Sequence, residues 1–269
     1  MSAHVFDLTP EKLDSLLLTK RLGRPCLVLD SCASTNDEVA RLAKNGHGEG
    51  VLVAAHEQTA GRGRRGRTWH SPKGENLYLS LLLRPTCPPE SATPLTLLAG
   101  LALAEALAEF GFTPLLKWPN DVLLDTPAGA RKVAGMLMEL SCQGRNVNHI
   151  VLGVGINIGT RKFPVELEGI ATSLWACRAD VPTRAAVLAT FLNRFEMEYD
   201  RFLMQGPRDA LGKYRRLARL GQECFVERED SRIHGLAEDV DDSGALVVRQ
   251  ADQKRILVHA GEVNWVRSL

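Results

Sequence analysis

Seven residues made only of glycine and arginine, Gly61 to Arg67, restrict most strongly how this chain can fold. This Gly/Arg segment has no apolar side chain to bury, so it cannot belong to a hydrophobic core and must be a loop. Apolar runs flank it at Val51 to Ala55 and at Leu77 to Leu83. We interpret each run as a buried β-strand. The sequence therefore predicts a loop that connects two core strands.

The composition of the Gly/Arg segment indicates an anionic ligand. Its three glycines allow positive φ and a close approach of the backbone to a ligand. Its four arginines carry permanently charged, planar guanidinium groups that match phosphate or carboxylate oxygens two at a time. A mobile loop of this kind is suited to closing over an anion. The alternative is a patch that binds nucleic acid non-specifically.

The overall composition favours a local site over a nucleic-acid-binding surface. The 269 residues are 45% hydrophobic and 24% charged, as in an ordinary globular protein. Lysine and arginine number 33 against 32 acidic residues, which leaves a formal net charge of +1. Dedicated nucleic-acid-binding proteins usually carry a basic surplus. The arginines are instead concentrated at one place in a balanced chain.

Cysteine usage and the N-terminus predict a cytoplasmic protein. The six cysteines are scattered, with no CxxC pair and no histidine at metal-ligand spacing, so we interpret them as free thiols of a reducing compartment. Residues 1–20 include acidic side chains and lack a long apolar stretch, which argues against a signal peptide. No run approaches ~18 uninterrupted apolar residues. We therefore expect no membrane anchor and no bound structural metal.

The pattern of apolar residues divides the chain into two regions. Strand-like and helix-like segments occur throughout residues 1–220, whereas residues 221–269 contain five short predicted strands separated by tight turns. We predict a main domain followed by a small β-barrel, with the boundary near Leu220. Roughly twenty residues precede the first predicted strand, Cys26 to Leu29, and this length is too short for a helix-turn-helix module.

Polar residues at the start of a predicted helix form the first candidate binding group. Thr35 and Glu38 have the spacing of a capping box, which predicts a helix that ends near Lys44. The first turn of this helix, at Ser34 to Asn36, offers free N–H groups and hydroxyls to a polar ligand. Gln58 lies where a strand becomes the Gly/Arg loop, a usual position for an amide that faces a ligand.

Four further features combine charge, amide groups and aromatic rings. Lys117 to Asp121 interrupts two apolar runs, and a simple turn explains its Pro-Asn-Asp sequence but not the neighbouring lysine and tryptophan. Lys132 begins a strand that contains Gly135, where a ligand could approach closely. Asn157 is polar within an apolar strand and needs a hydrogen-bond partner. Trp69 is either a packing anchor or a stacking surface for a base.

In combination, these motifs resemble the biotin protein ligase family of the bacterial type. The resemblance runs in order from about residue 25 to the C-terminus. It implies an α/β (α+β) fold in which a mixed β-sheet packs with helices, as in class II tRNA synthetases, followed by an SH3-like β-barrel. The matching segments are Ser34-Thr35-Asn36, Glu57 to Trp69, Asn76 to Ser80, Lys117 to Asp121, Lys132 to Gly135 and Gly153 to Asn157.

The resemblance implies a two-step reaction. The carboxylate of biotin attacks the α-phosphate of Mg·ATP to give biotinyl-5′-AMP, and a lysine of the biotin carboxyl carrier protein of acetyl-CoA carboxylase then takes the acyl group. ATP, Mg²⁺ and biotin are the implied ligands, and a homodimer through an exposed sheet edge is expected by family analogy. Some members also carry an N-terminal DNA-binding domain. The N-terminus of this chain is too short for one, so we expect no DNA binding.

The resemblance also assigns roles to individual residues. The residues implied to bind biotin are Ser34, Thr35, Asn36, Gln58, Gly61, Arg62, Gly63, Arg64 and Lys132. Those implied to bind the nucleotide are Arg65, Arg67, Trp69, Asn120, Asn157 and Arg267. The catalytic candidates are Arg64, Lys132, Lys117 and Asp121, the last as a residue that orients Mg²⁺ or the incoming amine.

Two other functions compete with this interpretation. A lipoate ligase or octanoyltransferase shares the sheet architecture, but its pocket need not contain the Gly/Arg segment, so the sequence favours biotin. An arginine-rich nucleic-acid-binding protein is disfavoured by the near-zero net charge and by the lack of aromatic residues inside the segment. A P-loop NTPase is excluded because the sequence has no GxxxxGK[ST] motif.

Overall fold

A large mixed β-sheet forms the centre of the protein. The computed structural model describes residues 7–228 and 231–266. The sheet has seven strands in the order β1-β2-β3-β7-β6-β5-β4, and β1 pairs with β2 in parallel, whereas the other neighbouring strands are antiparallel. The strands are β1 (Cys26–Leu29), β2 (Leu52–Ala55), β3 (Leu77–Leu83), β4 (Pro114–Lys117), β5 (Asp121–Leu124), β6 (Arg131–Gln143) and β7 (Asn146–Ile156).

Helices cover both faces of this sheet. Alternate residues of a strand point to opposite faces, and all seven residues of β3 are buried. Its odd-numbered leucines join the main core, whereas Leu82 joins a smaller cluster with Val39 and Leu42. The helices are α1 (Pro10–Asp14), α2 (Thr35–Lys44), α3 (Pro94–Glu109), α4 (Leu174–Cys177), α5 (Arg184–Gln205) and α6 (Arg208–Leu217). Helices α3 and α5 pack on the first face and α2 on the second.

Helix α3 is apolar around its whole circumference because it is a core helix, as the sequence predicted. It contacts α5, α6 and strands β4 to β6. Among the described residues, Pro89–Glu109 is the one helical stretch with the length and composition of a membrane span, and 72% of its apolar window is buried inside the fold. The apolar surface of α3 is thus covered by the protein itself.

A second, antiparallel sheet follows the helices. Its order is β11-β10-β9-β8-β12, and the five strands predicted after Leu220 are all present. The buried residues of this sheet continue the main hydrophobic core, so the domain boundary near Leu220 stays a prediction. The strands are β8 (Gln222–Glu227), β9 (Arg232–Val240), β10 (Leu246–Arg249), β11 (Arg255–Val258) and β12 (Glu262–Trp265).

The predicted capping box at the start of α2 was wrong. Helix α2 begins at Thr35, so Ser34 occupies the N-cap position, and its side chain makes no capping hydrogen bond. The hydroxyl of Thr35 bonds across the sheet face instead, and Glu38 forms an ion pair with Arg41 at 2.8 Å. Thr35 is thus engaged by a tertiary contact and Glu38 by an ion pair within the helix, so these side chains form no capping box.

Candidate active site

The Gly/Arg segment folds into a tight hairpin. Gly63 N–H donates to the Arg67 carbonyl at 2.7 Å, and Trp69 N–H donates to the Gly61 carbonyl at 2.9 Å. The segment is therefore a loop between β2 and β3, as predicted, and it has hydrogen bonds of its own. Two arginines of the hairpin extend to the second sheet region, where Arg64 contacts the Gly261 carbonyl and Arg67 contacts Glu262.

The glycines of this hairpin do not all serve the expected purpose. Gly66 alone among its three glycines has positive φ, at 71°, and the other left-handed residue is Arg65, at 57°. Gly61 is needed for close packing, since a Cβ there would lie 2.7 Å from Ser71 Oγ and 2.8 Å from the Trp69 carbonyl oxygen. Positive φ, which glycine allows at all three positions, is thus used at Gly66 only.

The first residues of α2 meet polar groups from neighbouring strands. Thr35 N–H and its hydroxyl both donate to Gln58 Oε1, at 2.9 and 3.1 Å. Ser80 Oγ, on β3, lies 2.7 Å from Thr35 Oγ1 and 2.6 Å from Asn36 Oδ1. Asn36 Nδ2 donates to Glu139 Oε2 at 2.9 Å. The predicted biotin-binding residues at this end thus form one buried, connected polar group.

The pairing of β5 with β6 brings the catalytic candidates together. Lys132 Nζ lies 2.6 Å from Asp121 Oδ1. Asn120 Nδ2 donates to the Met136 carbonyl at 2.9 Å, and its Oδ1 accepts from Arg64 Nη1 at 3.1 Å. The turn between β4 and β5 therefore connects the arginine hairpin to the lysine on β6.

Two partly buried cations beside this turn, Lys117 and Arg64, are suited to bind an anionic ligand. Burial lowers the pKa of Lys117 below its usual value, and the carboxylate of Asp121 opposes that effect. Burial also lowers the pKa of the Arg64 guanidinium, again against the influence of Asp121. Each positive charge is partly removed from water without full compensation. An anion placed beside them would restore the lost stabilisation.

Trp69 packs directly on the glycines of the central strands. A Cβ at Gly155 would lie 2.4 Å from the indole, and one at Gly135 would lie 3.2 Å from it. Lys132 Nζ lies 5.2 Å from the centroid of the indole ring, within the range of a cation–π contact. The indole Nε1 is buried and has no hydrogen-bond partner among the described residues. Trp69 is thus a packing residue here, and its stacking on a base stays a prediction.

Two cavities adjoin at this place, of about 180 and 50 Å³. Their shared wall consists of Gly63, Arg64, Trp69, Asn120 and Lys132. Predicted nucleotide residues that line the larger cavity are Arg65, Arg67, Trp69, Asn120 and Asn157. Predicted biotin residues that line the smaller one are Ser34, Thr35, Asn36, Gln58, Arg62, Gly63, Arg64 and Lys132.

The remaining assigned residues lie elsewhere. Lys117 and Asp121 line the larger cavity. Gly61 packs behind the smaller cavity, against Ser71, and Arg267 lies outside the described residues. The side chain of Asn157 is buried and donates to the Thr172 carbonyl at 3.1 Å, so a backbone group supplies the partner that it needs. The ligand roles of all these residues stay predictions.

The sequence interpretation missed the apolar end of the larger cavity. Phe163, Leu167 and Ile170 line it, although they belong to a connection between β7 and α4. Lys132 N–H donates to the Ile170 carbonyl at 2.9 Å, and Thr172 N–H donates back to the Lys132 carbonyl at 2.8 Å. The signal in the sequence was a set of apolar residues within an otherwise polar loop.

Carboxylates that bind the arginines were also missed. Arg62 forms a two-pronged pair with Asp37, at 2.7 and 2.8 Å, and a further contact with Glu139 at 3.2 Å. Arg67 forms a two-pronged pair with Glu262 on β12, at 2.8 and 2.7 Å. The hairpin is therefore held at both ends by ion pairs.

Comparison with known protein families supports the resemblance seen in the sequence. Residues 28–157 match the family described as "Biotin/lipoate A/B protein ligase family". Residues 220–264 match the "Biotin protein ligase C terminal domain". The order of the two matches follows the order of the two sheets, and it agrees with the expected SH3-like second domain.

Individual proteins agree with these family matches. The chain is 35% identical to the "Bifunctional ligase/repressor BirA" of Bacillus spizizenii, over 86% of this chain and 71% of the relative. It is 35% identical to the "Biotin--[acetyl-CoA-carboxylase] ligase" of Paracoccus denitrificans, over 83% of this chain and 94% of the relative. A solved structure of the Aquifex aeolicus biotin protein ligase with biotin and ATP superposes with a TM-score of 0.77, at 29% identity, covering 93% of this chain and all 100% of that one.

Proposed function

Because the chain belongs to the biotin/lipoate A/B protein ligase family, we propose that it activates biotin with ATP and transfers it to a protein lysine. The acceptor is the biotin carboxyl carrier protein of acetyl-CoA carboxylase, the enzyme in the name of the Paracoccus denitrificans relative. The observation that carries the proposal is the pair of adjoining cavities, whose shared wall holds Arg64, Asn120 and Lys132. Two ligands bound side by side would meet at that wall.

In the first step, two anions react at the shared wall. An oxygen of the biotin carboxylate forms a bond to the α-phosphorus of ATP, and the bond from that phosphorus to the bridging oxygen breaks, so pyrophosphate leaves. Arg64 and Lys132 would contact both reacting groups and reduce their mutual repulsion. Phosphoryl chemistry of this type depends mainly on positioning and on charge stabilisation, which these two cations supply.

The larger cavity has the two-sided character that a nucleotide requires. Its apolar end, formed by Phe163, Leu167 and Ile170, suits a base, and its cationic end suits a polyphosphate. Arg65 and Arg67 bring guanidinium forks to that cationic end, where they match phosphate oxygens. Trp69 and Asn157 also line this cavity, and we assign them to the adenylate.

One carboxylate of the larger cavity fits a magnesium ion that enters with ATP. Mg²⁺ in proteins typically keeps several waters and takes one or two carboxylates together with substrate phosphates. Asp121 lines the cavity, and its carboxylate offers one such ligand. The ion would neutralise phosphate charge, and Asp121 is the residue we expect to hold it or to orient the incoming amine.

In the second step, the lysine amine of the carrier attacks the carbonyl carbon of the acyl adenylate. A C–N bond forms, the bond from the carbonyl carbon to the phosphate oxygen breaks, and AMP leaves. Asp121 is suited to orient the amine and to accept its proton, with Lys132 held at 2.6 Å from its carboxylate. Because the mixed anhydride hydrolyses easily, the Gly/Arg hairpin would serve to exclude water.

The smaller cavity accepts biotin only if Trp69 moves. Its volume of about 50 Å³ has room for a few water molecules on the scale of roughly 10–15 Å³ for one, and the indole occupies the surface of Gly155. The polar group around Thr35 and Gln58 would then bind the ureido end of biotin. Displacement of the indole away from the glycines would open the remaining length of the cavity.

A substitution of Gly155 tests this use of the glycine surface. Gly155→Ala places a methyl group on the glycine surface that the indole now covers and that biotin would cover once the indole has moved, and overpacking of such a contact typically costs about 1–3 kcal/mol. We expect biotin affinity measured by calorimetry to fall at least about tenfold. Gly212→Ala on α6, where a Cβ meets no atom within 4 Å, should leave it unchanged. Equal affinity of the Gly155 variant and the unmodified protein would contradict this placement of biotin.

A direct experiment tests the proposed function as a whole. The protein is incubated with Mg·ATP and an unmodified carrier domain, once with biotin and once with lipoate, and the carrier mass is measured. We expect the mass to rise by one biotinyl group in the first reaction and to stay unchanged in the second. Preferential transfer of lipoate would favour the sister activity, and strongly salt-dependent DNA binding without transfer would favour the nucleic-acid alternative.

The cellular setting completes the proposal. We propose a cytoplasmic enzyme, because its substrates ATP and the carrier are found there, and we expect no DNA target. We also keep the predicted homodimer, for which edge strand β1 is a candidate surface, since Leu27 is 40% exposed on it. Light scattering with and without biotin and ATP checks this expectation; a monomer under both conditions would contradict it.

A further inference from the structure

One carboxylate of the second sheet engages two arginines of the hairpin. Both terminal nitrogens of Arg67 contact Glu262, at 2.8 and 2.7 Å. Arg65 Nη1 lies 3.8 Å from the same carboxylate, and its Nη2 donates to the Arg228 carbonyl at 3.4 Å. The side chain of Glu262 is only 26% exposed. One acidic residue of the second sheet therefore contacts two arginines of the hairpin.

This contact uses the donors that a phosphate group would need. A guanidinium binds a carboxylate and a phosphate in the same two-pronged geometry. Arg65, Arg67 and Glu262 all line the larger cavity. Both terminal nitrogens of Arg67 are engaged by Glu262, and its Nε donates to the Arg64 carbonyl at 3.5 Å, so the end-on edge of its fork is occupied. Nucleotide binding through this edge thus requires that Glu262 first release it.

We propose that Glu262 is a positioning residue that holds the hairpin against the second sheet and is displaced by the phosphates of the nucleotide. This inference rests on the proposed function, because it takes the ligand of the larger cavity to be a nucleoside triphosphate. Glu262 orders the arginines at the cavity mouth before the nucleotide arrives. The same contact competes with the nucleotide and lowers its affinity.

If Glu262 competes with the nucleotide, removing its charge should strengthen nucleotide binding, whereas removing a contact that only supports the bound state should weaken it. If Glu262 contacts the arginines only until the nucleotide binds, Glu262→Gln removes a stabilising interaction of the free protein and leaves the complex unaffected. We expect Mg·ATP to bind about threefold to tenfold more tightly to this variant, because an exposed or half-buried ion pair stabilises the free protein by about 1 kcal/mol. Calorimetry without biotin measures binding alone.

A second measurement follows the hairpin itself. Trypsin cleaves after arginine, so the rate of cleavage within Gly61–Arg67, mapped by mass spectrometry, reports how firmly the hairpin is held. Without nucleotide, Glu262→Gln should be cleaved faster than the unmodified protein by at least about threefold. Saturating Mg·ATP should reduce cleavage of both proteins to similar rates.

Glu227→Gln is the matched control, because Glu227 pairs with Glu262 in register on the adjacent strand β8. It should change neither the affinity for Mg·ATP nor the cleavage rate. Weaker Mg·ATP binding by Glu262→Gln would show that Glu262 still makes a stabilising contact in the complex, and it would overturn the proposed displacement by phosphates. Unchanged affinity would show that the pair of Arg67 with Glu262 does not compete with the nucleotide, and it would also overturn the proposal. If the unmodified protein did not bind Mg·ATP, the proposed function would fail first.

Discussion

Replacing Arg64 with alanine is expected to reduce biotinyl-adenylate formation by about 10- to 100-fold. Arg64 lies in the wall shared by the two cavities, and it donates to Asn120 Oδ1 at 3.1 Å and to the Gly261 carbonyl at 3.3 Å. Its loss removes a charge-assisted contact worth roughly 1.5–3 kcal/mol from the reacting anions. Biotin-dependent release of pyrophosphate measures the first step without the carrier.

Two comparison variants separate the causes of this loss. Arg145→Ala changes an exposed arginine in the turn between β6 and β7 and should retain full activity. Arg64→Lys keeps the positive charge but loses the planar fork, so it should fall between alanine and arginine. Pyrophosphate release at the normal rate by Arg64→Ala would exclude this residue from the first step.

Replacing Lys132 with alanine is expected to weaken biotin binding by about 30- to 100-fold and ATP binding far less. The change removes a cation from the shared wall and leaves the carboxylate of Asp121, 17% exposed and 2.6 Å away, without its ion-pair partner. Truncating one member of a buried pair typically costs about 2–5 kcal/mol, and the partial exposure here favours the lower end. The unpaired Asp121 would also repel the biotin carboxylate. Separate calorimetric titrations with biotin and with ATP measure the two affinities.

The backbone should tolerate this substitution. Lys132 holds the Ile170 and Thr172 backbone through its own N–H and carbonyl, and alanine keeps both groups. The double variant Lys132→Ala, Asp121→Asn provides a control, since it removes the repulsive carboxylate and should regain part of the biotin affinity. A greater loss of ATP affinity than of biotin affinity in Lys132→Ala would overturn the assignment.

The core strands were predictable because hydrophobic burial leaves a local trace in the sequence. The leucines of β3 alternate with a period of two, and the short strands after Leu220 alternate with turn residues. The polar motifs were recognisable for the complementary reason: a lysine or an amide within an apolar run adds nothing to hydrophobic packing. The glycines of β7 broke the same apolar pattern, and Gly155 packs under the Trp69 indole.

What the sequence could not reveal depends on contacts between distant parts of the chain. Arg67 and Glu262 are 195 residues apart, and nothing near either residue specifies the other. Phe163 and Ile170 line the cavity from a loop without periodicity, so their apolar character was visible in the sequence but their place beside the cavity was not. The capping box failed because Thr35 is engaged by Gln58 and Ser80, a tertiary demand that outweighs a local preference.

The region of the second sheet also supplies backbone acceptors to the candidate active site. The Gly244 carbonyl accepts from Trp118 Nε1 at 3.0 Å, and the Gly261 carbonyl accepts from Arg64 at 3.3 Å. Trimming the chain to its first sheet would leave a buried indole N–H without its acceptor and release the arginine that lines both cavities. A minimal protein engineered from the first sheet alone would therefore lack two contacts that hold the candidate site, and dissection of this protein has to leave its last strands attached.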